Sequence, residues 1–270
     1  MRNYYTRACN FHYGQQAQNL IKKKVALPLS GNKNLAFSYI EILSRDKKNK
    51  LVHVKKINNL EKKIRQTIQG DIKKIINKKQ NLSANLNFSK PLIMGVLNLT
   101  PDSFSDGGLF NQFSTASLHI QNMIDKGANI IDIGGESTRP GSKDVSPKIE
   151  WQRLKKIVIN FKKKHPKTFL SIDTRKSEIM MKGIENKSDL INDVSGFSYD
   201  SNAIDKIKKF NVWKVLHHMQ GTPNTMQINP KYKNVLLDLY DFFEKKINID
   251  LKKFKYKKFI IDPGIGFGKN

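Results

Sequence analysis

From Lys90 onward the chain alternates short apolar runs with helix-patterned stretches, and this alternation constrains the fold more than any other feature. Residues 92–97, 130–133, 169–172, 190–191, 212–216 and 259–261 read as strands. Residues 115–126, 147–164, 177–185, 202–210 and 232–253 read as the helices between them. Continuous Val, Ile and Leu runs without polar alternation suit parallel strands covered on both faces. A regular βα series leaves two α/β architectures, a barrel or a doubly wound sheet. No Gly-x-Gly-x-x-Gly opens the first helix, which weakens a dinucleotide-binding reading. The glycine-rich Gly264-Ile-Gly-Phe-Gly268 follows the last strand instead.

Residues 1–85 read as a separate small α+β unit, with a helix near 15–24 and strands at 35–43 and 51–54. Ile57, Leu60, Ile64, Ile68, Ile72 and Ile75 then recur at spacings of three and four. That stripe predicts one amphipathic helix with a cationic outer face. The polar stretch 77–89 reads as a linker to a second unit spanning 90–270.

The 270 residues carry 49 Lys and Arg against 23 Asp and Glu, a net charge of +26. Such a balance invites a nucleic-acid reading. Its distribution argues against that as the main role. Residues 1–90 hold 20 cations against 4 acids, and 91–270 hold 29 against 19, scattered over several helices. Neither an RNA-binding aromatic motif nor a zinc-finger spacing occurs. Cys9 is the only cysteine, which excludes an intrachain disulfide and a multi-cysteine metal site. No apolar run reaches the roughly 18–20 residues of a membrane span, and the N-terminus has no signal-peptide core. The expectation is a cytoplasmic protein that takes small molecules and no membrane.

Every strand of the second unit is followed by polar groups. Asn98 and the loop Thr100-Pro-Asp-Ser-Phe-Ser-Asp-Gly-Gly108 follow the first, and Glu136-Ser-Thr-Arg-Pro140 the second. Asp173 and Arg175 follow the third, Asn192 and Asp193 the fourth, His218-Met-Gln220 the fifth and Asp262 the sixth. Any one of these is adequately explained as a helix cap, and Arg139 as half of a surface ion pair with Glu136. Six together occupy the position where a (β/α) barrel gathers its active site. Asn98 offers an amide oxygen suited to Mg²⁺ shared with phosphates. Arg139 offers a planar fork for phosphate or carboxylate. Asp173, Asn192 and Asp262 suit the amino and amide edge of a flat nitrogen-rich ring. The adjacent His217 and His218 point to opposite sides if they lie on a strand, which argues against a joint metal site.

Met94-Gly-Val-Leu-Asn-Leu-Thr-Pro-Asp-Ser-Phe-Ser-Asp-Gly-Gly108, Gly134-Gly-Glu-Ser-Thr-Arg-Pro-Gly-Ser142, Ser171-Ile-Asp-Thr174, Ile191-Asn-Asp193, His218-Met-Gln-Gly221 and Asp262-Pro-Gly-Ile-Gly-Phe-Gly-Lys269 occur in this order. The set closely resembles dihydropteroate synthase, over roughly Lys90 to Asn270. The resemblance implies a TIM barrel that joins a dihydropterin diphosphate to p-aminobenzoate and releases pyrophosphate, with sulfonamides as inhibitors. It implies Asn98 as ligand of Mg²⁺, and Asp102, Ser103, Phe104 and Ser105 as a first loop over the substrates. Thr138 and Arg139 would meet phosphate, and Pro140 with Phe104 would border p-aminobenzoate. Arg139, Asp102 and Phe104 are its catalytic candidates. Asp173, Asn192, Met219 and Asp262 would hold the pterin, Phe267 would contact the aminobenzoate ring, and Lys269 would stand near the site. The implied chemistry is dissociative: pyrophosphate leaves first, then the amine attacks the pterin methylene.

A typical barrel needs about 250 residues, whereas 91–270 supply 180, about six of eight βα units. The family's seventh-strand Ser-Arg-Lys segment and eighth-strand Arg/His anion site have no counterpart here. The expectation is an incomplete barrel with two open edges, inactive or nearly so by itself, for which the family's homodimer is doubtful. A non-catalytic pterin-binding remnant, a methyl-tetrahydrofolate methyltransferase domain and an RNA-binding role for residues 44–80 stay open as alternatives.

Overall fold

The computed structural model describes residues 2–88, 90–100, 109–137, 144–222 and 225–269, without the side chains of 109–112 and 250. The chain divides into two compact units, Met1–Lys90 and Pro91–Asn270.

The first unit runs β1 (Tyr5–Tyr13), α1 (Gly14–Lys22), β2 (Leu27–Leu29), β3 (Asn32–Leu43), β4 (Lys50–His53), a 3₁₀ turn (Val54–Asn59) and α2 (Lys62–Ile76). All pairing is antiparallel and centres on β3, with β1 on one edge and β2 and β4 on successive stretches of the other. The strand β1 is not legible in the sequence. Its residues Tyr-Thr-Arg-Ala-Cys-Asn-Phe-His-Tyr lack a clean alternation, and Asn10 sits at φ 56°, where the β1–β3 register is interrupted. The single helix expected from Ile57 to Ile75 is two elements. Asn58 and Asn59 are poor helix formers, and Leu60 is extended (φ −73°, ψ 150°) before α2 begins. The apolar stripe survives this break, because Ile57, Leu60, Ile68 and Ile72 all pack with Phe37, Ile40, Ile42 and Val52. Asp71 of α2 is ion-paired with Arg2 and accepts a 2.7 Å hydrogen bond from Thr6 Oγ1, which ties the helix to β1.

The second unit alternates β5 (Met94–Asn98), α3 (Leu109–Asp125), β6 (Ile130–Gly134), α4 (Pro147–Lys164), β7 (Phe169–Asp173), α5 (Ser177–Glu185), β8 (Leu190–Asp193), α6 (Ala203–Ile207), β9 (Trp213–His217), α7 (Val235–Asn248), a 3₁₀ turn (Asp250–Lys253) and β10 (Phe259–Asp262). The strands form one parallel sheet in the order β10-β9-β8-β7-β6-β5. Six parallel strands with five helices between them repeat the βα unit of a TIM barrel. The outward residues Leu97, Ile131, Ile133, Leu170, Ile172, Ile191 and Leu216 pack with helix residues such as Ile120, Leu154, Val158, Ile179 and Phe243. Each such side chain, fully buried, contributes about 1.5–3 kcal/mol. Among the described residues β5 and β10 have one neighbour each, and Val96 and Ile261 on them are 53% and 51% exposed.

Helices α4 and α5 have the bounds the pattern predicts. Ser146 caps α4 ahead of Pro147, its Oγ accepting from Ile149 N. Helix α7 starts later than expected, at an N-cap formed by Asn234 Oδ1 and Leu237 N (3.2 Å), and breaks at Ile249. No helix among the described residues is long and apolar enough to cross a membrane.

Candidate active site

The strands run one or two residues past the apolar segments seen in the sequence. Asn98, Asp173, Asn192 and Asp262 therefore lie within paired strands, not in the loops that follow. The register aligns Asn98 with Gly134, Gly134 with Asp173, Asp173 with Asn192, and Asn192 with Val215. Strand side chains alternate, so these residues lie on the face opposite the helix-covered core. Ladder hydrogen bonds hold them more firmly than loop positions would be held.

Gly134 lets its two neighbours converge. A Cβ there would lie 3.2 Å from Asp173 Oδ2 and 3.4 Å from Asn98 Oδ1. Two residues below Gly134, on the same face, sits Asp132, which is buried and accepts a 2.8 Å hydrogen bond from Asn192 Nδ2. Burial raises the Asp132 carboxyl above the ordinary range, while Ser171 and Asn192 pull it back in part. Burial, then repulsion from Asp132, Asp193, Glu150 and Glu136, raises Asp173 well above that range. This edge of acceptors therefore favours any ligand that brings N–H donors to it. The sequence reading missed Asp132. The available signal was a carboxylate inside an otherwise apolar parallel strand, where an unpaired charge is costly.

A second group stands at the ends of β9 and β10, two residues beyond the Val215–Ile260 pairing, where His217 aligns with Asp262. The Asp262 carboxylate accepts from Gly264 N at 2.8 Å, so part of its role is the local turn. Gly264, at φ 66°, lets the chain pass so close to β9 that a Cβ would fall 2.1 Å from His218 O. The turn brings Phe267 edge-on to the His217 ring at a centroid distance of 4.8 Å. Lys269 Nζ donates to His218 O (3.1 Å) and Phe267 O (2.8 Å), and burial lowers its pKa against the opposing pull of Asp262. Met219 follows His218, half-buried. The two histidines do diverge. His217 Nδ1 is 2.8 Å from Val194 O and so carries the proton, while His218 lies against Phe242, with ring centroids 4.7 Å apart. Burial lowers both, His218 to about 4, so neither is charged at neutral pH. Among the described residues no group of three or more His, Cys, Asp or Glu is arranged to hold a metal ion.

Asp102, Ser103, Phe104, Ser105, Thr138, Arg139 and Pro140 lie outside the described residues. Glu136, considered above as the surface partner of Arg139, is buried and paired with Arg175 and Lys176.

Residues 94–270 match the family described as pterin binding enzyme. The chain belongs to that family. Within the pterin-binding enzymes it is 40% identical to the dihydropteroate synthase of Escherichia coli strain K12 over 187 residues, covering 69% of this chain and 66% of that one. It is 43% identical to the dihydropteroate synthase of Clostridium beijerinckii over 178 residues, covering 66% and 63%. The Yersinia pestis dihydropteroate synthase solved as a sulfonamide drug complex superposes with a TM-score of 0.64 at 38% identity, over 71% of this chain and 70% of that one. The Burkholderia cenocepacia enzyme complexed with 7,8-dihydropteroate gives 0.59 at 36%, over 68% and 62%. The chain thus spans about two thirds of the length of the relatives it matches, with 66% and 63% of the two curated ones covered.

Proposed function

We propose that this pterin-binding family member acts as a dihydropteroate synthase, joining 6-hydroxymethyl-7,8-dihydropterin diphosphate to p-aminobenzoate in folate biosynthesis. The observation that carries the reading is the single register row of Asn98, Gly134, Asp173 and Asn192, with Asp132 beneath it. The amino and amide edge of a pterin presents N–H donors to Asp173 and Asn192. Those donors would offset the repulsion that raises Asp173, and an analogue without them would leave the carboxylates unpaired. In this reading Asp262 and Met219 border the ring, and Phe267 with Pro140 borders p-aminobenzoate.

The site fits Mg²⁺ at Asn98. Asn98 is exposed, its amide oxygen and the Asp173 carboxylate both border the space over Gly134, and one protein oxygen suits a cation that keeps waters and shares phosphate oxygens. Bound there, Mg²⁺ would neutralise charge on the departing diphosphate. Thr138, Arg139 and Lys269 would supply donors to the same anion, and Asp102 and Phe104 would help exclude water. The C–O bond to diphosphate breaks, the C–N bond to the aminobenzoate nitrogen forms, and the amine proton leaves to solvent. The reading carries with it a cytoplasmic enzyme with two small-molecule substrates.

The test is calorimetric titration of the chain with dihydropterin diphosphate and with pyrophosphate, each with Mg²⁺, followed by an assay for dihydropteroate. Binding of both ligands and p-aminobenzoate-dependent product support the proposal. Binding of a pterin with no response to pyrophosphate refutes it and leaves a pterin-binding module of another kind.

A further inference from the structure

Asp132 and Asn192 stand on β6 and β8, 60 positions apart in the chain and with β7 between them, yet their side chains meet. Asn192 Nδ2 donates to Asp132 Oδ2 at 2.8 Å. The Asp132 carboxyl is buried, and no cation is among the groups that offset its burial. The other buried acids of the second unit have local employment. Asp193 accepts from Ser195 N, Ser195 Oγ and Phe197 N, which shapes the turn after β8. Glu136 and Glu150 are both paired with Lys176. Asp132 lies mid-strand, where it caps no helix and closes no turn. A buried carboxylate of that kind is costly to the fold, and its 2.8 Å hydrogen bond goes to a residue of the site.

That bond fixes which way the Asn192 amide points. With Nδ2 turned to Asp132, Oδ1 takes the other direction, and among the described residues no hydrogen bond to it is found. Rotating the amide by half a turn would set Oδ1 against Asp132 Oδ2, two acceptors facing each other in a low-dielectric space. The Asn192 backbone is held as well, aligned with Asp173 and Val215, and its carbonyl accepts from Thr174 N at 3.0 Å. An ionised carboxylate such as Asp173 only accepts. Asp173 and Asn192 Oδ1 thus present acceptors from adjacent strands, matched to a ligand edge with neighbouring N–H donors. An amide free to rotate would take a donor or an acceptor alike and lose that discrimination.

We infer that Asp132 is a positioning residue that sets the polarity of the site: it holds the Asn192 amide with its oxygen toward the ligand, and so selects N–H donors there. The consequence for affinity rests on the proposed function, whereas the hold on the amide does not.

Two measurements on the full chain test it. Side-chain amide NMR of the ligand-free protein reads the hold, with the Asn192 signals assigned by their loss in Asn192→Ser. One amide proton should exchange about tenfold more slowly than those of exposed Asn side chains, and Asp132→Ala should abolish that protection. Calorimetric titration with 6-hydroxymethyl-7,8-dihydropterin reads the consequence. Asp132→Ala should weaken binding about tenfold, yet by at most about twofold when Asn192 is already Ala, because Asp132 acts through the amide. Asp132→Asn keeps the shape and an acceptor oxygen, so it should lose less, and its loss too should vanish in the Asn192→Ala background. This pair carries the comparison if Asp132→Ala does not fold. An equal loss in both backgrounds marks a purely structural role and overturns the inference. So does an Asn192 amide whose exchange is indifferent to Asp132→Ala. If the unaltered chain binds no pterin, the proposed function fails, while the amide signal still decides the hold.

Discussion

Lys214 is a fully buried lysine on the helix-facing side of β9, and its replacement should stabilise the protein. Its Nζ donates to Phe210 O and Tyr256 O, both at 3.3 Å, and lies 4.9 Å from the Phe254 ring centroid. Burial first, and the nearby Lys258 second, lower its pKa from 10.5 to about 8. For a lysine whose folded pKa is depressed, the unfolded chain binds the proton more tightly. Stability therefore rises with pH between about 8 and 10.5, and the penalty is in full force below about 8. A shift of that size corresponds to about 3 kcal/mol. Water reaching the amine and the two carbonyls left behind in a variant reduce the recoverable part to about 1–3 kcal/mol. Lys214→Met keeps the length of the side chain and removes the charge. Urea unfolding should show the variant more stable by that amount at pH 7, with the advantage shrinking toward zero near pH 10.5. A variant less stable at pH 7, or an advantage equal at both pH values, would refute the reasoning.

Asp173→Asn should abolish measurable pterin binding in calorimetry while leaving the fold intact. Because the folded carboxyl is raised well above its ordinary value, its ionisation destabilises the fold as pH rises from about 4. The wild type should lose stability over that rise more steeply than the variant, and parallel urea curves would count against the carboxylate cluster. Gly183→Ala places a Cβ 2.8 Å from Ile172 Cγ1, where α5 meets β7. Overpacking of this kind costs about 1–3 kcal/mol, and a thermal melt unchanged from wild type would show that the helix can move away freely.

The βα series of the second unit was legible because apolar run length and helical period are local signals. Pro147–Lys164 carries its own cap and apolar stripe, Ser177–Glu185 its own stripe, and both appear with the predicted bounds. The polar residues Asn98, Asp173, Asn192 and Asp262 were legible as a set, because each interrupts an apolar run at the same phase. Less local features were not. β1 has no alternation to announce it and exists because β3 offers an edge to pair with. The stripe from Ile57 to Ile75 gave the right buried face but hid the break at Leu60, since periodicity records which side is apolar and not whether the backbone is continuous.

The chain's own order of residues determined the alternation of strand and helix, the polar phase at the strand ends and the membership in the pterin-binding family. Tertiary structure decided that Asp132 joins Asn192 and that Asp173 and Asn98 both border the space over Gly134. It also decided that Arg175 serves Glu136 and Asp144 together. These arrangements join strands and loops far apart in the chain, 60 positions in the case of Asp132 and Asn192. Register, burial and mutual repulsion set them, and each arises only when distant segments share one low-dielectric space.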